Sequence, residues 1–112
     1  MIRLDDITAE AHQRHTIIFE ESEIVLVLRF HPTVEMWTFD ATYKAEQVQG
    51  RKLSVGVLHM ESRNLPFDFF VSANAGTDMD PLRLDDFSTG RCSLYMLQAD
   101  DMEVIRGAPV PL

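Results

Sequence analysis

From Glu23 to Tyr43 the chain reads EIVLVLRFHPTVEMWTFDATY, two alternations of apolar and polar residues joined at His31–Val34. In the first run Ile24, Leu26, Leu28 and Phe30 fall on one face, with Val25, Val27, Arg29 and His31 on the other. In the second, Trp37, Phe39, Ala41 and Tyr43 alternate with Met36, Thr38, Asp40 and Thr42. Period two marks a strand with one face in a core. Pro32 and Thr33 mark the turn, because proline fixes φ and cannot donate to a ladder. A preceding strand is predicted over Arg14–Glu20. The acidic turn Glu20–Ser22 leads into a second strand over Glu23–His31, and a third covers Glu35–Tyr43. Connections this short cannot make crossovers, so the three form an antiparallel meander.

The pattern continues more weakly downstream. KAEQVQGRK is a polar connection with Gly50 as its turn residue. Over Lys52–Met60, Leu53, Val55 and Val57 alternate with Ser54 and Gly56, which predicts a strand. Gly56 then marks a bulge or a close approach of another backbone. Phe67–Ser72 puts Phe67, Phe69 and Val71 on one face. Arg91–Gln98 puts Cys92, Leu94 and Met96 on one face, which reads as buried, and Met102–Arg106 reads as a last short strand. Between them residues 73–90 form a loop long enough to be functional or contact-making, with Leu82, Leu84 and Phe87 pinning it to the body. Residues 1–13 read as a polar arm, a loop or short helix, and residues 107–112 as an extended tail. The expectation is an all-β fold: a small antiparallel barrel or sandwich of six or seven strands with extended termini, in a single domain over residues 1–112.

Composition narrows the function classes. Hydrophobic residues make up 46% and charged residues 25% of the 112, as in folded domains, which argues against disorder of the whole chain. Eighteen acidic residues against 10 basic ones leave a net charge of −8. That balance disfavours a direct grip on DNA or RNA, which needs a basic stripe. Cys92 is the one cysteine, so neither an intrachain disulfide nor a multi-cysteine metal site can form. The first residues lack the apolar core of a signal peptide, and the clearest apolar run, Ile24–Leu28, is too short to span a bilayer. The chain is expected to be soluble, made in a cytoplasm and free of membrane contact.

Candidate chemistry is sparse. His12 and His15 have HxxH spacing, which on a helix would share a face and hold a metal. Without the glutamate of HExxH the signal is weak, and a solvated terminus is preferred. Asp78, Asp80, Asp85 and Asp86 cluster in the long loop, and DMD resembles the start of a calcium loop. The required glycine and the final glutamate are missing, so aspartates that cap turns are preferred. Cys92 reads as a buried, inert thiol. Glu35, Asp40 and Asp68 are lone acids on strand faces that look solvated, with nothing pairing them as acid and base. Trp37 with Phe30, Phe39, Tyr43, Phe69 and Tyr95 could line a ligand or peptide groove, although aromatics at alternating positions more often build a core. The residues point away from an enzyme and call for no cofactor or metal. A metal-assisted hydrolase built on the histidines and loop acids ranks last.

The order LRFHPTVEMWTFD, QGRKLSVGVLHM, FDFFVSA and GRCSLYML resembles the small plug proteins of contractile-tailed phage baseplates. The resemblance lies in Leu26–His31, Trp37–Ala41, Gly50–Leu58 and Arg91–Tyr95, and spans roughly residues 16–97. DMDPLRLDDF stands where that family often has glycines, and GAPVPL maps onto none of the resembling elements. The resemblance implies a non-enzymatic virion component at the junction of tail tube and baseplate hub. Rings or small homo-oligomers bound to tube and hub proteins would then be its setting. Segments that are apolar where a terminus or loop should be polar are the expected contacts: Met1, Ile2 and Leu4, Phe87, and Pro109, Val110, Pro111 and Leu112. Folding back onto the chain's own core is the competing reading for each. An acidic face lining a channel would repel DNA and keep it from sticking during passage. The alternative is a small β-barrel binding module with its groove near Trp37.

Overall fold

The computed structural model describes residues 1–60, 65–74 and 79–107. Its strands are β1 (Ile2–Arg3), β2 (His12–Phe19), β3 (Ser22–His31), β4 (Met36–Tyr43), β5 (Glu46–Lys52), β6 (Phe67–Ala73) and β7 (Cys92–Gln98), followed by helix α1 (Ala99–Gly107). They make two antiparallel sheets, a four-stranded meander β2-β3-β4-β5 and a three-stranded sheet β1-β7-β6. The arrangement is a sandwich, not a closed barrel.

The inward faces are those that alternation marks. Ile24, Leu26, Leu28, Trp37 and Phe39 have no exposed surface, and neither do Phe69, Val71 and Leu94 of the facing sheet. Aromatic rings bridge the layers edge-on, Phe39 to Phe69 at 5.7 Å and Tyr43 to Phe67 at 5.2 Å between centroids. Offset and edge-to-face contacts of this kind add about 0.5–1.5 kcal/mol each beyond area burial. These buried residues form one continuous cluster running through both sheets.

The hairpins are set by backbone conformation. Phe19 pairs with Ser22, leaving Glu20 and Glu21 as a two-residue turn with φ of 48° and 66°, the form that matches strand twist. The β3–β4 turn ends on Glu35 at φ 51°.

Four expectations need correction. KAEQVQGRK is not a connection: residues 46–52 of it form β5. Gly50, at φ 65°, sits in a β-bulge where the β4–β5 register shifts between Phe39 and Ala41. A glycine at positive φ serves a bulge as well as a turn. Lys52–Met60 is not a strand beyond the end of β5. Only Val55 bridges to Val71, and Gly56 donates to the Val71 carbonyl at 3.0 Å, the close backbone approach its glycine suggests. Met102–Arg106 is helical: the Asp101 carboxylate accepts the Gln98 N–H at 3.1 Å, half of a capping box, and Asp100 and Asp101 sit in the first turn. The N-terminal arm is neither a plain loop nor a helix, because β1 adds to the β7 edge, Ile2 opposite Met96 and Arg3 opposite Tyr95.

Candidate functional site

Among the described residues the buried acids, Asp68 and Asp86, centre two clusters, and both are occupied with holding backbone. In the first, Asp68 on β6 is 1% exposed. Its carboxylate accepts N–H bonds from His59 (3.1 Å), Met60 (3.0 Å) and Phe69 (2.6 Å). His59 bonds the Phe69 carbonyl through Nδ1 at 2.8 Å and accepts the Ser54 N–H at Nε2, 2.9 Å. A carbonyl on one side and an N–H on the other require the Nδ1–H tautomer. Burial pushes the Asp68 carboxyl above its ordinary range, against the three N–H donors that favour the anion. This corrects the reading of Asp68 as a solvated acid.

In the second, Arg91 grips Asp86 in a two-point pair, Nε to Oδ1 at 2.9 Å and Nη2 to Oδ2 at 2.8 Å. Asp86 also accepts the N–H groups of Leu82 and Arg83, and Arg91 donates to the Asp80 carbonyl at 2.7 Å. The Arg91 bond holds the Asp86 carboxyl at about 2, with burial opposing and the two N–H groups assisting. The acids of the long loop therefore separate in role. Asp86 ties the loop together, Asp80 accepts the Val55 N–H at 2.8 Å and pairs with Lys52 at 3.4 Å, and Asp85 is exposed. Asp78 lies outside the described residues. The loop docks on the meander through Trp37, whose indole N–H donates to the Arg83 carbonyl at 3.0 Å.

His12 and His15 do not converge. Their odd spacing places them on opposite faces of a strand, and His15 bonds Gln13 instead. Among the described residues no three His, Cys, Asp or Glu side chains are grouped as a metal site. Trp37 is fully buried, so its ring lines the core and not a groove. Cys92 is buried and its thiol is pushed up by that burial.

The expected contact residues divide. Phe87 is 7% exposed and stacks edge-on against Trp37 at 5.5 Å, inside its own core. Leu4 is half-buried against that core, while Met1 and Ile2 are exposed. The Met1 ammonium pairs with Asp101 at 2.7 Å, pinning the arm to α1. Residues 109–112 lie outside the described residues. Two clefts of about 410 Å³ each flank the arm. One lies between Arg3–Ala9 and Phe87–Leu94, the other between Arg3–Asp6 and Arg14–Ile17.

What the residues left unmentioned by alternation reveal is the state of the sheet edges. β1 is two residues long, β5 is bulged and bears Arg51 and Lys52, and β6 is met by Val55 and Gly56. Such devices protect an edge from further pairing. β2 has eight residues in register with β3 and no shift, and among the described residues it has no ladder partner on its other side.

No protein-family model matches the chain, and no curated protein matches its sequence.

Proposed function

We propose that this chain is a non-enzymatic structural component of a contractile-tailed phage virion, a small β-domain subunit at the junction of tail tube and baseplate hub. Made in the host cytoplasm, it assembles there with tube and hub proteins, in homo-oligomeric form. The observation that carries the reading is where the resemblance falls. Leu26–His31 and Trp37–Ala41 are the paired centre of β3 and β4, and Arg91–Tyr95 supplies the loop clasp and the first half of β7. Three of the four resembling segments thus carry the architecture of the sandwich, while the fourth, Gly50–Leu58, holds the β5 bulge and a stretch that forms no strand beyond Lys52. The clusters of polar chemistry suit the same reading, since Asp68 and His59 hold the 54–60 segment to β6 and Asp86 with Arg91 ties the long loop together. An eight-residue edge with no outer ladder partner among the described residues suits a protein whose task is assembly, because an added strand completes the ladder.

The test is co-expression with tail-tube and hub proteins of a contractile phage tail, followed by affinity purification and native mass measurement. Co-purification in a fixed ratio, with the chain found by mass spectrometry in purified tails, is the expected result. A chain that neither binds those proteins nor occurs in tails would overturn the proposal.

A further inference from the structure

The β2 edge has a definite backbone polarity. The Phe30 N–H donates to the Ala11 carbonyl at 2.7 Å, and Ala11 and Phe30 extend the register in which His12 faces Arg29. Hydrogen-bonded and non-bonded pairs alternate along an antiparallel ladder. Gln13, His15, Ile17 and Phe19 therefore bond to β3, while His12, Arg14, Thr16 and Ile18 turn their N–H and C=O groups outward. All four of these residues are exposed, and Ile18, at 67%, is a large apolar side chain standing in water.

The charges along this hairpin are unevenly placed. One end carries Arg14 and His12, with Glu10 just before the strand and Arg29, beside His12 on β3, paired to Asp40. The tip carries Glu20, Glu21 and Glu23. Reversed against a second copy, the Arg14 of each edge comes toward the acidic tip of the other.

We propose that β2 pairs antiparallel with the β2 of a second copy about a twofold axis at Thr16, joining the two meanders into one continuous sheet. Outward-facing residues must meet outward-facing residues. Three central registers satisfy this, with Arg14, His15 or Thr16 on the axis. The first opposes two arginines, and the second brings Glu10 against the partner's Glu20. With Thr16 on the axis, Arg14 lies opposite the partner's Ile18 and next to the acidic Glu20–Glu21 turn that follows the partner's β2. Opposite charges across strands stabilise and like charges destabilise, so charge selects the Thr16 register. The Arg14 stem then covers Ile18. The contact is isologous, as a twofold interface requires. It rests on the edge geometry and charge pattern alone, independent of the virion role.

Sedimentation equilibrium of the full chain and a cysteine scan test it. The wild type is expected at twice its 12.8 kDa mass. Thr16→Pro removes an outward N–H that β3 does not use, so it is expected to give a monomer with unchanged far-ultraviolet circular dichroism. Ile18→Lys, opposite Arg14, is expected to do the same. Arg14→Glu is expected to weaken association by about tenfold, with Arg14→Glu/Glu20→Arg restoring it. Paired residues in this register have Cα atoms about 5.5 Å apart, within disulfide reach. Thr16→Cys is therefore expected to cross-link on mild oxidation, while Arg14→Cys and His15→Cys do not. A wild type that stays at 12.8 kDa at millimolar concentration, an Ile18→Lys variant that still dimerises, or cross-linking at position 14 or 15 in place of 16 would each overturn the proposal.

Discussion

Asp86 gathers an arginine and two backbone N–H groups onto a carboxylate whose side chain is 3% exposed. Its folded value of about 2 lies below the ordinary 3.8. A depressed acid contributes stability that is fully present above the unfolded value and lost as pH falls through the folded one. Acid titration should therefore remove about 2 kcal/mol between roughly pH 4 and 2, and Asp86→Asn should abolish that part of the slope in urea unfolding measured across the range. Asp68 has the opposite sign. Its raised value means that it loses stabilising power as pH rises through it, so it offsets part of the Asp86 loss in acid. Asp68→Asn turns an acceptor facing the Met60 N–H into a second donor or leaves an N–H unpaired. It should cost about 1–3 kcal/mol, read as a lower urea midpoint at unchanged slope. At this scale the sequence was partly misleading. FDFFVS places Asp68 on the outward face of β6, where an acid reads as solvated. The backbone of His59 and Met60 folds over that face, and nothing local in the sequence announces it.

The turns are where element and residue preferences conflict. Glu20 and Glu21 both adopt positive φ, a conformation that costs an L-residue with a Cβ roughly 1–2 kcal/mol. Glu20→Asn/Glu21→Gly should relieve it and stabilise the fold by about 1 kcal/mol, raising the melting temperature by roughly 4 °C in a thermal scan. Gly50 shows the reverse. A Cβ there would meet nothing within 4 Å, so Gly50→Ala should cost about 1–2 kcal/mol through φ alone. Elements with strict alternation were legible to within two residues, because alternation is a local property of a half-buried strand. β5 was missed because EQVQGRK buries only Val48, as an edge strand with two wet faces does. Residues 52–60 alternate yet form no strand, since a ladder needs a neighbour and β6 meets them only at Val55. α1 was missed because Val104 and Ile105 look strand-like, while the helix is started by acids near its N-terminus.

For the whole molecule the N-terminal arm has a measurable task. β1 covers the edge of β7, an apolar strand, and the Met1 ammonium ties it to α1. Removing Met1–Leu4 should expose that edge, lower the melting temperature by several degrees and raise concentration-dependent light scattering, since open apolar edges template aggregation. A full-length control at the same concentration should remain clear. The β7 edge is covered from within the chain, whereas the β2 edge is in register and unbulged, with no outer ladder partner among the described residues. Trp37 reports on the core between them. Its emission should be blue-shifted and insensitive to acrylamide in the folded state, shifting red in one step with urea.

From its sequence alone the chain determined the paired strands around His31–Val34 and their inward residues. It also set the burial of Phe69, Val71, Cys92, Leu94 and Met96, because a period of two assigns faces without reference to anything distant. Only the tertiary structure decided that the strands split into two sheets and do not close into a barrel. It also decided that Trp37 spends its N–H on a loop 46 residues away, that Asp68 is covered, and that three edges are protected while β2 has no outer ladder partner among the described residues. Each of those depends on which segment comes to lie against which, and that is set by packing between residues far apart in the chain.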